Sequence, residues 1–260
     1  MRPYSQRFIS GEEANAYNRS EYGPGSYSSF IWELERPLLE KILDSIRAAK
    51  PEISLLDFAC GNGRITEVAE GYAGKSLGID ISKEMIELAR KTCRRSSFSV
   101  GDFNKDGRLA AGQYDVITMF RFILNADSDL REGALRWLRN CIQEGSGRLI
   151  LNMHGNVCSM RHPSIVFRKW RIRHAGGNDQ GGRIMLNEMS VHDVSELLQR
   201  TGFEIVEYYG VGVMPPLLYR IPVARNIAGW VDRVTTGVRL LRNVSVNVIF
   251  VCRPVPDVRG

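Results

Sequence analysis

Long apolar runs are missing from this chain of 260 residues. No segment reaches the ~18 consecutive apolar residues that a spanning helix needs, and the opening stretch MRPYSQRFISGEEANAYNRS holds no apolar signal core. No spanning helix is therefore expected, and a cytoplasmic address is the expectation. Cysteine is sparse too: Cys60, Cys93, Cys141, Cys158 and Cys252 are odd in number and show neither CxxC nor zinc-ligand spacing. That argues against a disulfide framework and for reduced thiols. No metal-ligand cluster is apparent, so no metal is expected. Internal repeats and low-complexity tracts are also absent. Acidic residues fall short of basic ones, 29 against 35, which leaves a net charge of +6. The excess suits a phosphorylated substrate, acidic lipid headgroups or nucleic acid, without choosing among them. The length fits one domain with a sizeable core.

What is present is alternation. Tyrosines at 4, 17, 22 and 27 among Gly, Ser and Pro read as an irregular lead-in. From Ile31, apolar residues at Leu34, Leu38, Ile42 and Ile46 recur at three- and four-residue steps and predict a helix, with a bend expected at Pro37. Strands are predicted at ISLLDF (53–58), SLGID, SFSVGD, YDVITMF (114–120) and GRLILNM. Helices are predicted between them at ITEVAEGYA, at SKEMIELARKTC with Ser82 as N-cap, and at DLREGALRWLRNCIQ. Later come a helix, SVHDVSELLQRTGF, with Ser190 and Asp193 at N-cap and N3 and Gly202 as its stop, and the strands FEIVEYYGVG and VSVNVIFVC. Such alternation implies an open α/β sheet of about seven mostly parallel strands with right-handed crossovers. Residues 155–189 and 213–243 are too long for ordinary connections and read as functional inserts.

The first strand ends in Asp57 and runs into Ala59, Cys60, Gly61, Asn62 and Gly63 before a helix starts near Arg64. Gly61 and Gly63 permit backbone angles closed to other residues and a close approach of main chain to ligand. The free N–H groups of the helix face the same spot and favour an anion. Asp80 ends the next strand, where a carboxylate accepts both hydroxyls of a ribose. A dinucleotide loop would require a third glycine at position 66, which is Thr66.

LLDFACGNGRIT, GIDIS and VGDF together resemble the cofactor motifs of the class I S-adenosylmethionine-dependent methyltransferases. The resemblance covers residues 50–155, and strand order extends it more loosely to Cys252. It implies a three-layer, Rossmann-like sheet of seven strands whose last strand is antiparallel. It also implies S-adenosylmethionine as cofactor, with S-adenosylhomocysteine as product. Carried over, Gly61 and Gly63 would pass beneath the methionine part, with Ala59 at the place of the family's first glycine. Asp57 would orient the loop and meet the amino group, and Asp80 would hold the ribose hydroxyls while Ile81 packs on the adenine. Asp102 would accept from the adenine amino group with Phe103 beside the ring; the alternative for Asp102 is a plain turn residue. Phe120 and Arg121 would face the sulfonium.

Methyl transfer needs a nucleophile in line with the methyl carbon and sulfur, and a base where the nucleophile is a hydroxyl or protonated amine. His154 follows the fifth strand and is the candidate base, against the reading of a strand-end residue bonded to backbone. Asn152 and Asn156 are candidates to orient it or the substrate, and Arg121 to meet a substrate anion or a neighbouring Asp. His162 and His174 lie in the first insert, and His192 reads as a surface residue. The insert segment RHPSIVFRKWRIRH (161–174) fits a clamp for phosphate, a platform for RNA, or a solvated basic face with Phe167 and Trp170 turned inward. In the second insert Ile227, Trp230, Val231, Val234, Val238 and Leu241 keep helical spacing. They are expected to pack as a lid, with peripheral membrane contact the alternative.

The expectation is thus a single methyltransferase domain over 1–260, with a cap (1–50), a cofactor core (51–154) and two inserts that build an acceptor pocket. Tyr17, Tyr22 and Tyr27 are expected to close over the cofactor. A small-molecule acceptor is favoured, anionic or linked to lipid or sugar, and no stable protein partner is evident. The alternatives are an RNA methyltransferase and a non-catalytic S-adenosylmethionine-binding protein. The first lacks an NPPY-type tetrapeptide, since MFRF stands after strand four.

Overall fold

The computed structural model describes residues 23, 26–106, 109–110, 112–174 and 187–256. Tyr17 and Tyr22 lie outside them. Helix α1 (Tyr27–Ala49) begins four residues before the expected Ile31, because the Ser26 hydroxyl accepts the Ser29 N–H at 3.0 Å and caps the first turn. It runs on through Pro37 and buries Ile31, Leu34, Leu39, Ile42 and Leu43. Each such side chain is worth about 1.5–3 kcal/mol of apolar burial.

The sheet comprises β1 (Ile53–Phe58), β2 (Ala73–Asp80), β3 (Ser97–Val100), β4 (Val116–Met119), β5 (Arg148–Met153), β6 (Phe203–Val211) and β7 (Asn247–Pro254). Their order is β3-β2-β1-β4-β5-β7-β6. The first five run parallel, and β7 lies antiparallel between β5 and β6. Between the strands run α2 (Arg64–Ala69), α3 (Lys83–Thr92), α4 (Ser128–Cys141) and α6 (Val191–Arg200). Strand β2 starts at Ala73 rather than Ser76, and α2 is correspondingly shorter than its apolar pattern suggested. The Ser82 cap and the Ser190–Asp193 capping box form as expected.

Alternate strand residues feed two cores, as a sheet covered on both faces requires. Leu55, Val116, Phe120 and Ile150 pack with α1 and α2, while Leu56, Ile117, Leu149 and Leu151 pack with α4 and α6.

Each insert forms a helix, α5 (His162–His174) and α7 (Pro222–Thr235), the latter preceded by a 3-10 turn (Pro216–Arg220). Both turn apolar side chains outward. Phe167 and Trp170 are 61% and 54% exposed, so the inward-turned reading of the first insert fails. On α7 the buried residues are Ala228, Gly229 and Asp232, whereas Ile227 and Trp230 are each 64% exposed. The helix is docked, but by the face opposite its apolar stripe. Small side chains allow closer approach there, and Asp232 is satisfied by the Val213 N–H (2.7 Å), the Met214 N–H (2.9 Å) and the Tyr219 hydroxyl (2.5 Å).

Candidate active site

Strand β1 is flanked by β2 on one side and β4 on the other, so the strand order reverses at its C-terminal end. That is where an open α/β sheet has its ligand crevice. The loop leaving β1 is wound left-handed at every second residue: Ala59 at φ 54°, Gly61 at 54° and Gly63 at 81°. The two glycines serve different ends. A Cβ on Gly61 would meet nothing within 4 Å, so this residue faces open space. One on Gly63 would lie 2.9 Å from the Ala89 Cβ, so that glycine lets α2 and α3 pack. Ala59 holds an angle that L-residues adopt at a cost of roughly 1–2 kcal/mol. Ala59→Gly is therefore expected to raise stability by ~0.5–1 kcal/mol, allowing for the looser unfolded chain, and a denaturant midpoint below the parent's would refute it.

Two acids hold this loop. Asp57 is buried, with its carboxylate accepting the Thr66 hydroxyl at 2.5 Å and the Thr118 hydroxyl at 2.7 Å. Burial pushes its pKa up to about 6 against the pull of those hydroxyls. Thr66, the residue that breaks the dinucleotide pattern, thus anchors α2 to β1. Asp80 accepts the Gly61 N–H and the Ser82 N–H, both at 2.9 Å; burial raises it, and the N–H groups oppose that. Beside it Ile81 is 40% exposed, an apolar side chain left open at the crevice. Asp102 accepts the Asn104 N–H at 3.0 Å, making a local turn, and lies 3.6 Å from the Lys105 ammonium. Phe103 sits in an aromatic cluster with Phe58 and Trp137. The Phe120 side chain is buried in the core beneath α1.

Arg121, just past β4, is left-handed at φ 57°. Non-glycine residues keep such angles where their surroundings over-determine them. Here the Arg121 N–H donates to Asn152 Oδ1 at 2.7 Å, and its carbonyl accepts from the Asn125 amide. Asn152 in turn donates to Glu35 Oε1 at 3.0 Å, which also accepts from Asn247 at 3.2 Å. Glu35 is fully buried. Helical periodicity had no way to single out this acid, because an isolated Glu in a helix reads as solvated.

Beyond β5 the His154 carbonyl accepts from Arg161 at 3.0 Å, and His154 Nδ1 is buried with no partner among the described residues. Burial holds the imidazole well below its ordinary pKa, with Arg121 and Arg161 adding to the effect. The Arg161 guanidinium is itself lowered by burial and by Arg121. The Tyr27 ring lies 5.2 Å from that of Tyr219, its hydroxyl buried with no hydrogen-bond partner among the described residues. Asn152 and Asn156 are both committed elsewhere: Asn152 braces Arg121, and Asn156 donates to the Asn243 and Ser245 carbonyls. His162 bonds Glu188 at 3.0 Å, His174 bonds the Trp170 carbonyl at 2.9 Å, and His192 is a surface residue paired with Glu196. Glu35 is thus the site neighbour that sequence patterns missed, whereas Arg161 belongs to the basic insert segment that they singled out.

A family described as a methyltransferase domain matches residues 31–208. The chain belongs to that family. N-demethylindolmycin N-methyltransferase of Streptomyces griseus is 32% identical over 119 residues, 43% of this chain and 48% of that protein. The 23S rRNA (uracil(1939)-C(5))-methyltransferase of Alcanivorax borkumensis is 26% identical over 136 residues, 50% of this chain and 29% of that protein. The chain thus spans half or less of these curated relatives. Among solved structures, magnesium protoporphyrin IX methyltransferase from Synechocystis PCC 6803 with bound SAH superposes with a TM-score of 0.60 at 15% identity, covering 96% of this chain and 97% of that one. This likeness speaks for the fold. In this methyltransferase the match takes in β1 to β5, and with them the left-handed loop, Asp57, Asp80, Arg121, His154 and Arg161.

Proposed function

We propose that this methyltransferase takes its methyl group from S-adenosylmethionine and gives it to a small, anionic acceptor. The residues fit such a cofactor: the space in front of Gly61 is open, Ile81 offers an apolar surface, and the Asp80 carboxylate has acceptor capacity beyond the N–H groups of Gly61, Ile81 and Ser82. Gly61 would run beneath the methionine part, Asp57 would hold the loop, and Asp80 and Ile81 would take the ribose and adenine, with Asp102 and Phe103 farther along the ring. Bound there, the cofactor supplies a methyl already activated by positive sulfur.

The observation that carries the acceptor's charge is the buried Arg161 guanidinium bonded to the His154 carbonyl at 3.0 Å, beside a buried imidazole whose Nδ1 has no partner among the described residues; burial above all, then Arg121 and Arg161, hold that imidazole neutral. An anion beside the guanidinium forms charge-assisted bonds with it. It also lets the imidazole pKa climb back toward its ordinary value. His154 is then neutral before the reaction and basic enough to take the proton of the acceptor as its oxygen or nitrogen bonds to the methyl carbon. The inserts 155–189 and 213–243 would wall this pocket.

The test is transfer of label from methyl-labelled cofactor into metabolite fractions separated by charge, alongside total RNA. Label is expected in an anionic small-molecule fraction, with formation of S-adenosylhomocysteine. For that acceptor, Arg161→Met should raise KM roughly thirtyfold or more, because a buried anion loses its partner, while kcat changes far less. Label appearing only in neutral compounds or in RNA would sink the anionic reading.

A further inference from the structure

Helix α7 turns its apolar stripe outward. Val223, Ile227, Trp230 and Val234 recur at helical spacing and are 79%, 64%, 64% and 52% exposed. Leu217 and Leu240, before and after the helix, are exposed as well. This orientation is built in. The opposite face carries Ala228, Gly229 and Asp232, and rotating the helix to bury the stripe would pull the Asp232 carboxylate away from three donors. A buried carboxyl stripped of its partners is costly, so the stripe stays where it is.

We propose that this face of α7 seats the protein on an anionic lipid bilayer. Charge complementarity selects that occupant. Between residues 213 and 246 the sole acidic residue is Asp232, and it is buried; the basic ones are Arg220, Arg225, Arg233, Arg239 and Arg242. Arg233 pairs with Glu33 at 3.7 Å and Arg242 lies over the Tyr208 ring, but Arg220, Arg225 and Arg239 are exposed and make no ion pair among the described residues. An apolar stripe with a Trp, flanked by arginines and free of exposed acid, matches an acidic headgroup layer over acyl chains. A second copy of the chain fits badly, since apposed stripes would bring like charges together.

The first insert repeats the pattern. Residues 154–174 contain no acid, and α5 exposes Phe167 and Trp170 next to Arg168, Lys169 and Arg171. The two inserts meet where Asn156 donates to the Asn243 carbonyl at 2.8 Å, and Arg161 of the first donates to the His154 carbonyl at 3.0 Å. Both therefore border the same end of the sheet as His154. The inference does not rest on the acceptor proposed above, because lipid binding is read without cofactor or acceptor.

Co-sedimentation with phosphatidylcholine vesicles, with and without phosphatidylglycerol, tests it. Binding is expected to require phosphatidylglycerol and to shift tryptophan emission to the blue. The double variant Ile227→Ser/Trp230→Ser should reduce partitioning by about tenfold or more, with little change in melting temperature. Arg225→Ser/Arg239→Ser should reduce it to a similar degree, on the order of tenfold. The proposal is overturned by equal sedimentation with and without phosphatidylglycerol, or by full binding of the Ile227/Trp230 variant. It is overturned equally by a vesicle-free dimer that this variant dissociates, and by an RNA homopolymer that competes off the vesicles and binds this variant as well as the parent.

Discussion

Replacing Asp80 by Ala is expected to abolish the thermal stabilisation that the proposed binding of S-adenosylmethionine or S-adenosylhomocysteine would confer on the chain. The carboxylate has two duties. It takes the Gly61 and Ser82 N–H groups, which fixes the loop and the start of α3, and in the proposed complex it accepts the ribose hydroxyls. Hydrogen bonds to a charged group are worth ~1.5–3 kcal/mol each, so losing two to a ligand weakens affinity by on the order of a hundredfold or more. Asp80→Asn retains one acceptor oxygen, and an intermediate shift is expected. Differential scanning fluorimetry across a cofactor titration gives both results. An Ala variant stabilised as well as the parent would show that the cofactor sits elsewhere.

Glu35→Ala is expected to cost about 3–5 kcal/mol, because two buried amides lose their acceptor and a cavity is left behind. At this chain length that corresponds to a fall in melting temperature of roughly 10 °C. Asn152 would also lose the partner that holds it against the left-handed Arg121, so methyl transfer should drop by more than the loss of folded protein explains. Glu35→Gln keeps an oxygen at the Oε1 position, where both amides donate, and should recover most of the stability. Thermal melts of the three proteins, with activity measured well below the transitions, decide this. An Ala variant that melts with the parent would rule out the network as a support.

Much of the architecture was legible because it rests on local rules. Strand–helix alternation, the hydroxyl caps at Ser82 and Ser190, and the run of Asp57, Gly61 and Asp80 all leave marks within a few neighbouring residues. The missed features depend on partners far away in sequence. Glu35 finds its amides 117 and 212 residues along the chain, and Asp232 meets Tyr219 only because α7 folds back on its own connection. The orientation of α7 was misread for a related reason. Periodicity reveals that a helix has an apolar side, but not which side docks when small residues and a capped acid offer a closer fit. The roles of the glycines separated only through their surroundings, open space at Gly61 and the flank of α3 at Gly63.

The placement of β7 sets a timetable for the nascent chain. It is the last of the seven strands to be synthesised, yet it fills the gap between β5 and β6. Until it emerges from the ribosome, β6 lacks the strand it pairs with in the sheet, and Asn247 is not there to meet α1. The β1–β4 half, with the left-handed loop after β1, can close earlier from nearby pairings. A growing polypeptide can thus complete the half that carries Asp57 and Asp80 before the half that carries His154 and Asn247 is closed.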